Sequence, residues 1–476
     1  MTCPLPGYDI IALLQFIQSK LEAEVSRSAS ILALFLFSCI VLRAQDTPVA
    51  LTGTLITPDG IVLDGVVLIQ NGKITAAGAK PTLPPGTKTI DTHGVIAPGL
   101  IDLHNHLTWN VFPRWKPNQL FGTRYDWEAL PTYNLLMDAP HEALVKQGLE
   151  CQMERYAEVK AITEGETSVV GGMYAACDQG LARNLDYDPE LGSGKTTILY
   201  NIFPLSMSES ELATANTAFS ANPHGFLLAH LAEGSPKNAS AAEEFHILQG
   251  RGLLKPGVSV IHATALTPQN FAAIAKAGVG LIWSPRSNIE LYGDTTNVAA
   301  AKSANVVIAL APDWSPTGSV GLLSELNYAS EWNQAQPTSI FTDRELVSMA
   351  TSSPAAMVGL QDQIGSLATN HVADLLVIRD TGKATGKDAY WSLTHATPED
   401  IELVMIGGLA TYGDPQLMHQ LSKGPDEPLH ICGVEKSISF ASETKPPGTF
   451  AATLTTLDHA LREQGRSLAP LAECGQ

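Results

Sequence analysis

His104-Asn105-His106 spaces two imidazoles as a single metal ion would need them. The run before it, Pro98-Gly99-Leu100-Ile101-Asp102-Leu103, is strand-like, and residues i and i+2 of a strand face the same way. Both rings should therefore leave the carboxyl end of that strand together, aimed at one cation. Three more apolar runs stop on polar side chains. GFLLAH ends on His230 and continues to Glu233, VSVIH ends on His262, and VVIALAPD ends on Asp313. One such strand end is ordinary, since a buried, hydrogen-bonded histidine accounts for it. Four in one chain are hard to explain structurally.

The elements that must position these groups alternate between strand-like and helix-like stretches from about 98 to 360. Strands are expected at 100–104, 167–170, 181–185, 197–203, 225–230, 258–262, 279–283 and 306–311. Eight strands with helices between them make an α/β (β/α)8 TIM barrel, whose active site lies at the carboxyl ends of the strands. Short strands with Asp-Gly and Asn-Gly turns precede this region, and HVADLLVIRD and IELVMIGGLATYGD follow it. These flanks predict a small β-sandwich built from both ends of the chain. The expected divisions are 1–47 (signal peptide or N-terminal extension), 48–97 plus 365–435 (sandwich), 98–364 (barrel) and 436–476 (C-terminal helical tail). In the tail, Phe450, Leu454, Leu457 and Leu461 share one helical face.

The chain has 476 residues, a net charge of −19 and 45% hydrophobic residues. So acidic a chain argues against nucleic acid or an anionic membrane as partner and says little about the substrate, for which a small molecule is the expectation. Residues 31–42, ILALFLFSCIVL, follow Arg27 and precede Ala44-Gln45. The run has signal-peptide length and is too short for a normal transmembrane helix. Export to the periplasm or outside the cell is the expectation, with membrane contact only through an uncleaved N-terminal segment. Export would allow disulfides among Cys151, Cys177, Cys432 and Cys474, with pairing open. Self-association is open too.

PGLIDLHNH resembles the first barrel strand of the amidohydrolase superfamily, and the order of the later polar strand ends extends the resemblance over about 50–435. The resemblance implies that His104, His106, His230 and Asp313 bind one divalent metal, Zn2+ or alternatively Fe2+, whose bound water becomes hydroxide near neutral pH. His230-Leu231-Ala232-Glu233 resembles the H-x-x-E of cytosine, guanine and adenosylhomocysteine deaminases and chlorotriazine hydrolases. It implies Glu233 as proton shuttle, His262 as partner to the hydroxide or the substrate, and Asp313 as an assisting catalytic group. Ser284-Pro285-Arg286-Ser287-Asn288 resembles the seventh-strand S-P-x-S-N of that branch, although Trp283-Ser284 stands where His-Cys is usual. Trp109, Arg286, Asn288 and Trp314 are candidate substrate contacts, and Arg286 facing the pocket would favour a substrate carboxylate. Binuclear members bridge two metals with a fourth-strand lysine; TTILYNIFPLS has none, so a single metal is expected.

The implied function is hydrolysis of a non-peptide C–N bond in a cyclic amide or amino-heterocycle, by attack of metal-bound hydroxide. An exported amidase or dipeptidase-like hydrolase is the second reading, favoured by the leader-like segment and disfavoured by Glu233 and the missing lysine. A non-catalytic metal-binding protein on the same fold is the third, and no loss of ligands supports it. Gly192-Ser193-Gly194-Lys195-Thr196 imitates a P-loop but lacks its first glycine and leads into a strand. No G-x-S-x-G elbow offers serine chemistry.

Overall fold

The computed structural model describes residues 47–178, 180–188, 191, 197–201, 207–221, 225–443 and 448–475. The leader-like run at 31–42 and the Gly192–Thr196 segment lie outside the described residues. Among the described residues no helix is long and apolar enough to cross a membrane.

The two flanks of the chain meet in one sheet. β1 (Val49–Thr57), β2 (Gly60–Gln70), β3 (Lys73–Gly78) and β4 (Lys88–Pro98) come from the N-terminal side. β13 (Leu375–Ile378), β14 (Ile401–Ile406), β15 (Leu409–Gly413), β16 (Asp426–Ile431) and β17 (Val434–Ser439) come from the other. They form a continuous nine-stranded sheet in the order β16-β17-β15-β14-β13-β4-β1-β2-β3. The strands of both flanks thus share one extended mixed sheet, whose last strand runs to Ser439. Asn71 and Gly72 take positive φ values of 53° and 76° between β2 and β3, as a tight hairpin turn requires. Alternation along the central strands gives the sheet two buried faces. Ile96, Leu375, Val377, Leu403 and Met405 pack on one side, while Val95, Ala97, Leu376, Ile378 and Val404 join the main core on the other.

The strands between these flanks are parallel and form two arcs. β5 (Leu100–Ile101), β6 (Glu166–Val169) and β7 (Arg183–Asn184) make a three-stranded arc, paired in that order. β8 (Thr197–Asn201), β9 (Gly225–Leu231), β10 (Val258–His262), β11 (Gly280–Trp283) and β12 (Ile308–Leu310) make a five-stranded one. A parallel bridge between Asn105 and Asp313 joins the first strand's continuation to the last. Inside the arcs Ile101, Leu228, Ile261, Ile282 and Ala309 form one cluster, whereas Leu227, Val260, Leu281 and Ile308 face the surrounding helices. Every expected strand has a counterpart, and most are shorter.

α1 (Glu150–Ile162) is buried along most of its length and packs against α2 (Phe450–Glu463), which turns Phe450, Leu457 and Leu461 inward. The last residues then run back as a strap. Ala469 N–H donates to Val111 C=O at 2.9 Å, its own carbonyl accepts from Tyr156, and Thr163 donates to Leu471 C=O at 3.3 Å. Cys474 is bonded to Cys432, and Cys151 to Cys177.

Gly99 separates β4 from β5, and a Cβ there would collide with the buried side chain of Thr167. Gly99→Ala is expected to cost about 1–3 kcal/mol, as overpacking of a tight core does. Denaturant unfolding of the variant against the parent checks it.

Candidate metal centre and cavity

The strand carrying His104 and His106 ends as a regular ladder at Ile101, earlier than the sequence implies. Beyond it, Asp102 fixes the backbone by accepting from His104 N–H at 2.8 Å and Asn105 Nδ2 at 2.7 Å. Asn105 Oδ1 accepts from Asn110 Nδ2 at 2.7 Å, and Asn110 Oδ1 accepts from Ser315 N–H at 2.8 Å. Lys160 on α1, fully buried, donates to Asn110 C=O and Ser315 Oγ, both at 3.0 Å. One polar chain therefore ties the H-x-H segment to the residues just past Asp313.

The donors converge. Asp313 Oδ1 lies 3.3 Å from Nε2 of His104 and 3.3 Å from Nε2 of His106. His104 Nε2 lies 3.1 Å from His230 Nε2, and His104 Nδ1 is 3.0 Å from Ser284 Oγ. His262 Nδ1 meets Asn288 Oδ1 at 2.8 Å. The Asn288 amide nitrogen faces Thr295 and Thr296, which leaves the oxygen to accept and puts the imidazole proton on Nδ1. His262 Nε2 then points to Glu233 Oε2, 3.8 Å away.

Sharp bends bring these groups round. His262 (φ 63°), Ala263 (φ 54°), Asp313 (φ 70°) and Ala232 (φ 52°) all have positive φ, which is rare for such residues and clusters at functional sites. Strict alternation would send His262 to the helix side with Val258 and Val260. Instead Ala263 N–H closes a tight turn on Ile261 C=O at 2.9 Å, and the ring is carried inward. The turn after His230 is held by Glu244, whose Oε2 accepts from Ala232 N–H at 2.6 Å.

Burial pushes His104 and His230 well below the ordinary histidine value, with neighbouring imidazoles adding to it. Burial alone would raise the Asp313 carboxyl, but His104, His106 and His262 hold it far below the usual range. Neutral imidazoles beside a charged carboxylate are what a divalent cation needs, and His104, His106 and His230 present their donor atoms within 4.8 Å of one another. The site is built for a divalent metal.

Glu233 faces the same space. It accepts from Tyr292 O–H at 2.6 Å, with Arg124 Nη1 3.9 Å from its other oxygen. Burial, then the Glu233 charge, pushes Tyr292 well above its ordinary value, so it stays a donor. The cavity has a volume of about 260 Å³ and is lined by His106, His230, Glu233, His262 and Asp313 on one side, and by Trp109, Trp127, Glu128, Tyr133, Met173 and Trp314 on the other.

Of the four residues the sequence reading named as candidate substrate contacts, Trp109 and Trp314 line this cavity. Arg286 does not: its guanidinium pairs with Glu473 at 2.5 Å and lines a separate, outer cleft. Asn288 is fully buried behind His262 and is absent from the cavity wall. Asp102, Ser284, Tyr292, Trp127, Glu128, Tyr133 and Met173 were not anticipated. Asp102 and Ser284 stood inside or beside the quoted motifs, whereas Glu128 and Tyr133 end two short helical turns, Arg124–Glu128 and Pro131–Tyr133, that carry no recognisable pattern.

Residues 134–408 match the sequence profile of the amidohydrolase family, and the chain belongs to that family. It is a metal-dependent hydrolase of non-peptide C–N bonds acting on small molecules. Among curated proteins it is similar to a 5-methylthioadenosine/S-adenosylhomocysteine deaminase of Syntrophobacter fumaroxidans, 26% identical over 76% of this chain and 91% of the relative. It is also similar to a 5'-deoxyadenosine deaminase of Methanosarcina barkeri, 22% identical over 77% and 92%. A solved adenosine deaminase from Xanthomonas campestris with bound zinc superposes with a TM-score of 0.63 at 16% identity, over 88% of this chain and 99% of that one. E. coli guanine deaminase gives 0.62 at 18%, over 76% and 99%. The solved structures speak to the fold alone.

His141 supports the cavity from behind, stacked on Trp109 at 4.1 Å and joined to Thr108 Oγ1 at 2.9 Å. Burial lowers it from 6.5 to about 4. Below about pH 6.5 the unfolded ring takes a proton that the folded ring refuses until about pH 4, so stability falls as the pH drops through that window. Between pH 7 and pH 5 this group should cost on the order of 1–2 kcal/mol. Denaturant unfolding of His141→Phe at the two pH values should show a decline smaller by that amount.

Proposed function

We propose that this chain is a zinc-dependent aminohydrolase that removes an exocyclic amino group from a compact nitrogen heterocycle. On this reading the eight strands close as a (β/α)8 barrel, with 98–364 as the barrel domain and residues 436–476 as an appended tail. His104, His106, His230 and Asp313 hold one metal. β8 carries no lysine to bridge a second. The observation that carries the reading is Glu233, turned into the cavity beside the donor cluster and held there by Tyr292. The deaminase names of the relatives support the same class.

A divalent cation bound there supplies acidity to water, moving its pKa toward neutrality. The protein does the rest. Trp109, Trp127 and Trp314 stack the ring and exclude bulk solvent. Glu233 takes the proton released as water oxygen bonds to the ring carbon, and delivers it to the amino nitrogen as the C–N bond breaks, so that ammonia leaves and a carbonyl remains. His262, with its tautomer set by Asn288, offers Nε2 to the reacting edge. Asn288 is a positioning residue here.

Export is also part of the proposal. The disulfides Cys151–Cys177 and Cys432–Cys474 support it, since such bonds persist in oxidising compartments. Fractionation of the producing cell, followed by N-terminal sequencing, tests it; a protein found only in the cytosol with an intact leader-like run would end it.

The reaction is tested by ammonia release from aminopurines, aminopyrimidines and aminotriazines with the zinc-loaded chain. Glu233→Gln should lower kcat by roughly 100-fold or more, with metal retained. In metal analysis His230→Ala should lose the ion, whereas His262→Asn should keep it and lose rate. Full rate in Glu233→Gln, or ring opening with no ammonia, would sink the deaminase reading.

A further inference from the structure

Resting on the deaminase reading, the cavity wall also bears on which substrates enter. The side away from the donor cluster is aromatic. Trp314 stands at the centre, with ring centroids 6.0 Å from Trp109, 5.9 Å from Trp127 and 6.3 Å from Tyr133. Glu128 lies in this aromatic wall. Glu128 is half-buried; among the described residues no hydrogen bond or ion pair reaches its carboxylate, and burial pushes it up to about 7 against the opposing pull of the Arg124 charge. A half-buried carboxylate that lacks a hydrogen-bond donor is one that a ligand N–H can complete.

The charges around it point one way. Glu128, Glu233 and Asp313 line the cavity, and among the described residues no lysine or arginine does. Arg124 lies 3.9 Å from Glu233 and its charge also acts on Glu128, but it is not part of the cavity wall, and Arg286, the cation that the sequence offered to a substrate carboxylate, is turned outward to Glu473. Aromatic faces attract cations, and a carboxylate pairs best with a charged or polarised N–H edge. A cavity of about 260 Å³ falls below the roughly 300–1,000 Å³ of sites for drug-sized ligands.

We propose that Glu128 is a specificity-determining residue, which selects compact nitrogen rings bearing an amidinium-like or amino N–H edge and turns away substrates that carry an anionic group. The aromatic wall holds the ring, and Glu128 takes the N–H edge remote from the scissile C–N bond. No covalent step is added to the reaction.

Benzamidinium and benzoate, alike in size and opposite in charge, are the probes. Calorimetric titration of the full, zinc-loaded chain should show benzamidinium binding roughly tenfold more weakly to Glu128→Gln than to the parent, a charge-assisted hydrogen bond being worth about that much. Glu128→Arg should lose benzamidinium and bind benzoate more tightly than the parent does. Comparing each variant with the parent removes any direct attachment of benzoate to the metal. Matching unfolding temperatures guard against a folding defect, and the isosteric Glu128→Gln decides alone if the arginine variant does not fold. Unchanged benzamidinium affinity in Glu128→Gln would overturn the proposal, as would a benzoate affinity that does not respond to Glu128→Arg. Ammonia release is a separate readout, so the deaminase reading can fail while this charge preference stands, and the reverse.

Discussion

A carboxylate buried among imidazoles is the constraint around which this protein is built. Asp313 is charged, sits at 4% exposure, and has Nε2 of two histidines 3.3 Å from one oxygen. Taking such a group out of water costs several kcal/mol unless partners surround it. The partners come from strands far apart in sequence, so the sheet arcs must bring them to one end and the backbone must then hold them still. Bends at positive φ supply the aim, and the buried network through Asp102, Asn105, Asn110, Ser315 and Lys160 supplies the stiffness. Satisfied fully, such a network fixes one geometry, which a metal centre requires.

Much of this was legible in the amino-acid sequence because the chemistry sits at strand ends. Hydrophobic runs that stop on His104, His230, His262 and Asp313 name both the strand and its business end. Glu233 was legible for the same reason, three residues after His230. The strand order followed from the alternation of short apolar runs and helical stretches. The sheet at the chain ends was legible as strands and turns; that nine of them form one continuous surface was not, since register between distant segments leaves no local mark.

Side-chain direction was the harder problem. Arg286 and Asn288 sit in a motif that promised substrate contacts, yet a motif fixes residue types and leaves their aim to tertiary packing. Asn288 ends up behind His262, and Arg286 finds a better-placed carboxylate in Glu473, 187 residues downstream. Glu128 and Tyr133 were invisible because helical pieces of five and three residues are too short to show a periodicity. His262 shows the limit most clearly: simple alternation predicts the wrong face, and a single tight turn reverses it.

The strap formed by residues near the end of the chain has a consequence for how the protein is made. Ala469, Leu471 and Glu473 brace Val111, Thr163 and Arg286, residues that leave the ribosome far earlier. The H-x-H segment and the seventh-strand turn must therefore wait, during synthesis, for bracing that comes from a much later part of the chain. Cys474 is likewise made 42 residues after the Cys432 it joins. A ribosome that stalls shortly before the strap would hold a nascent chain with all of its metal ligands and an unfinished frame around them. Completion of the centre is in this sense timed to synthesis of the strap.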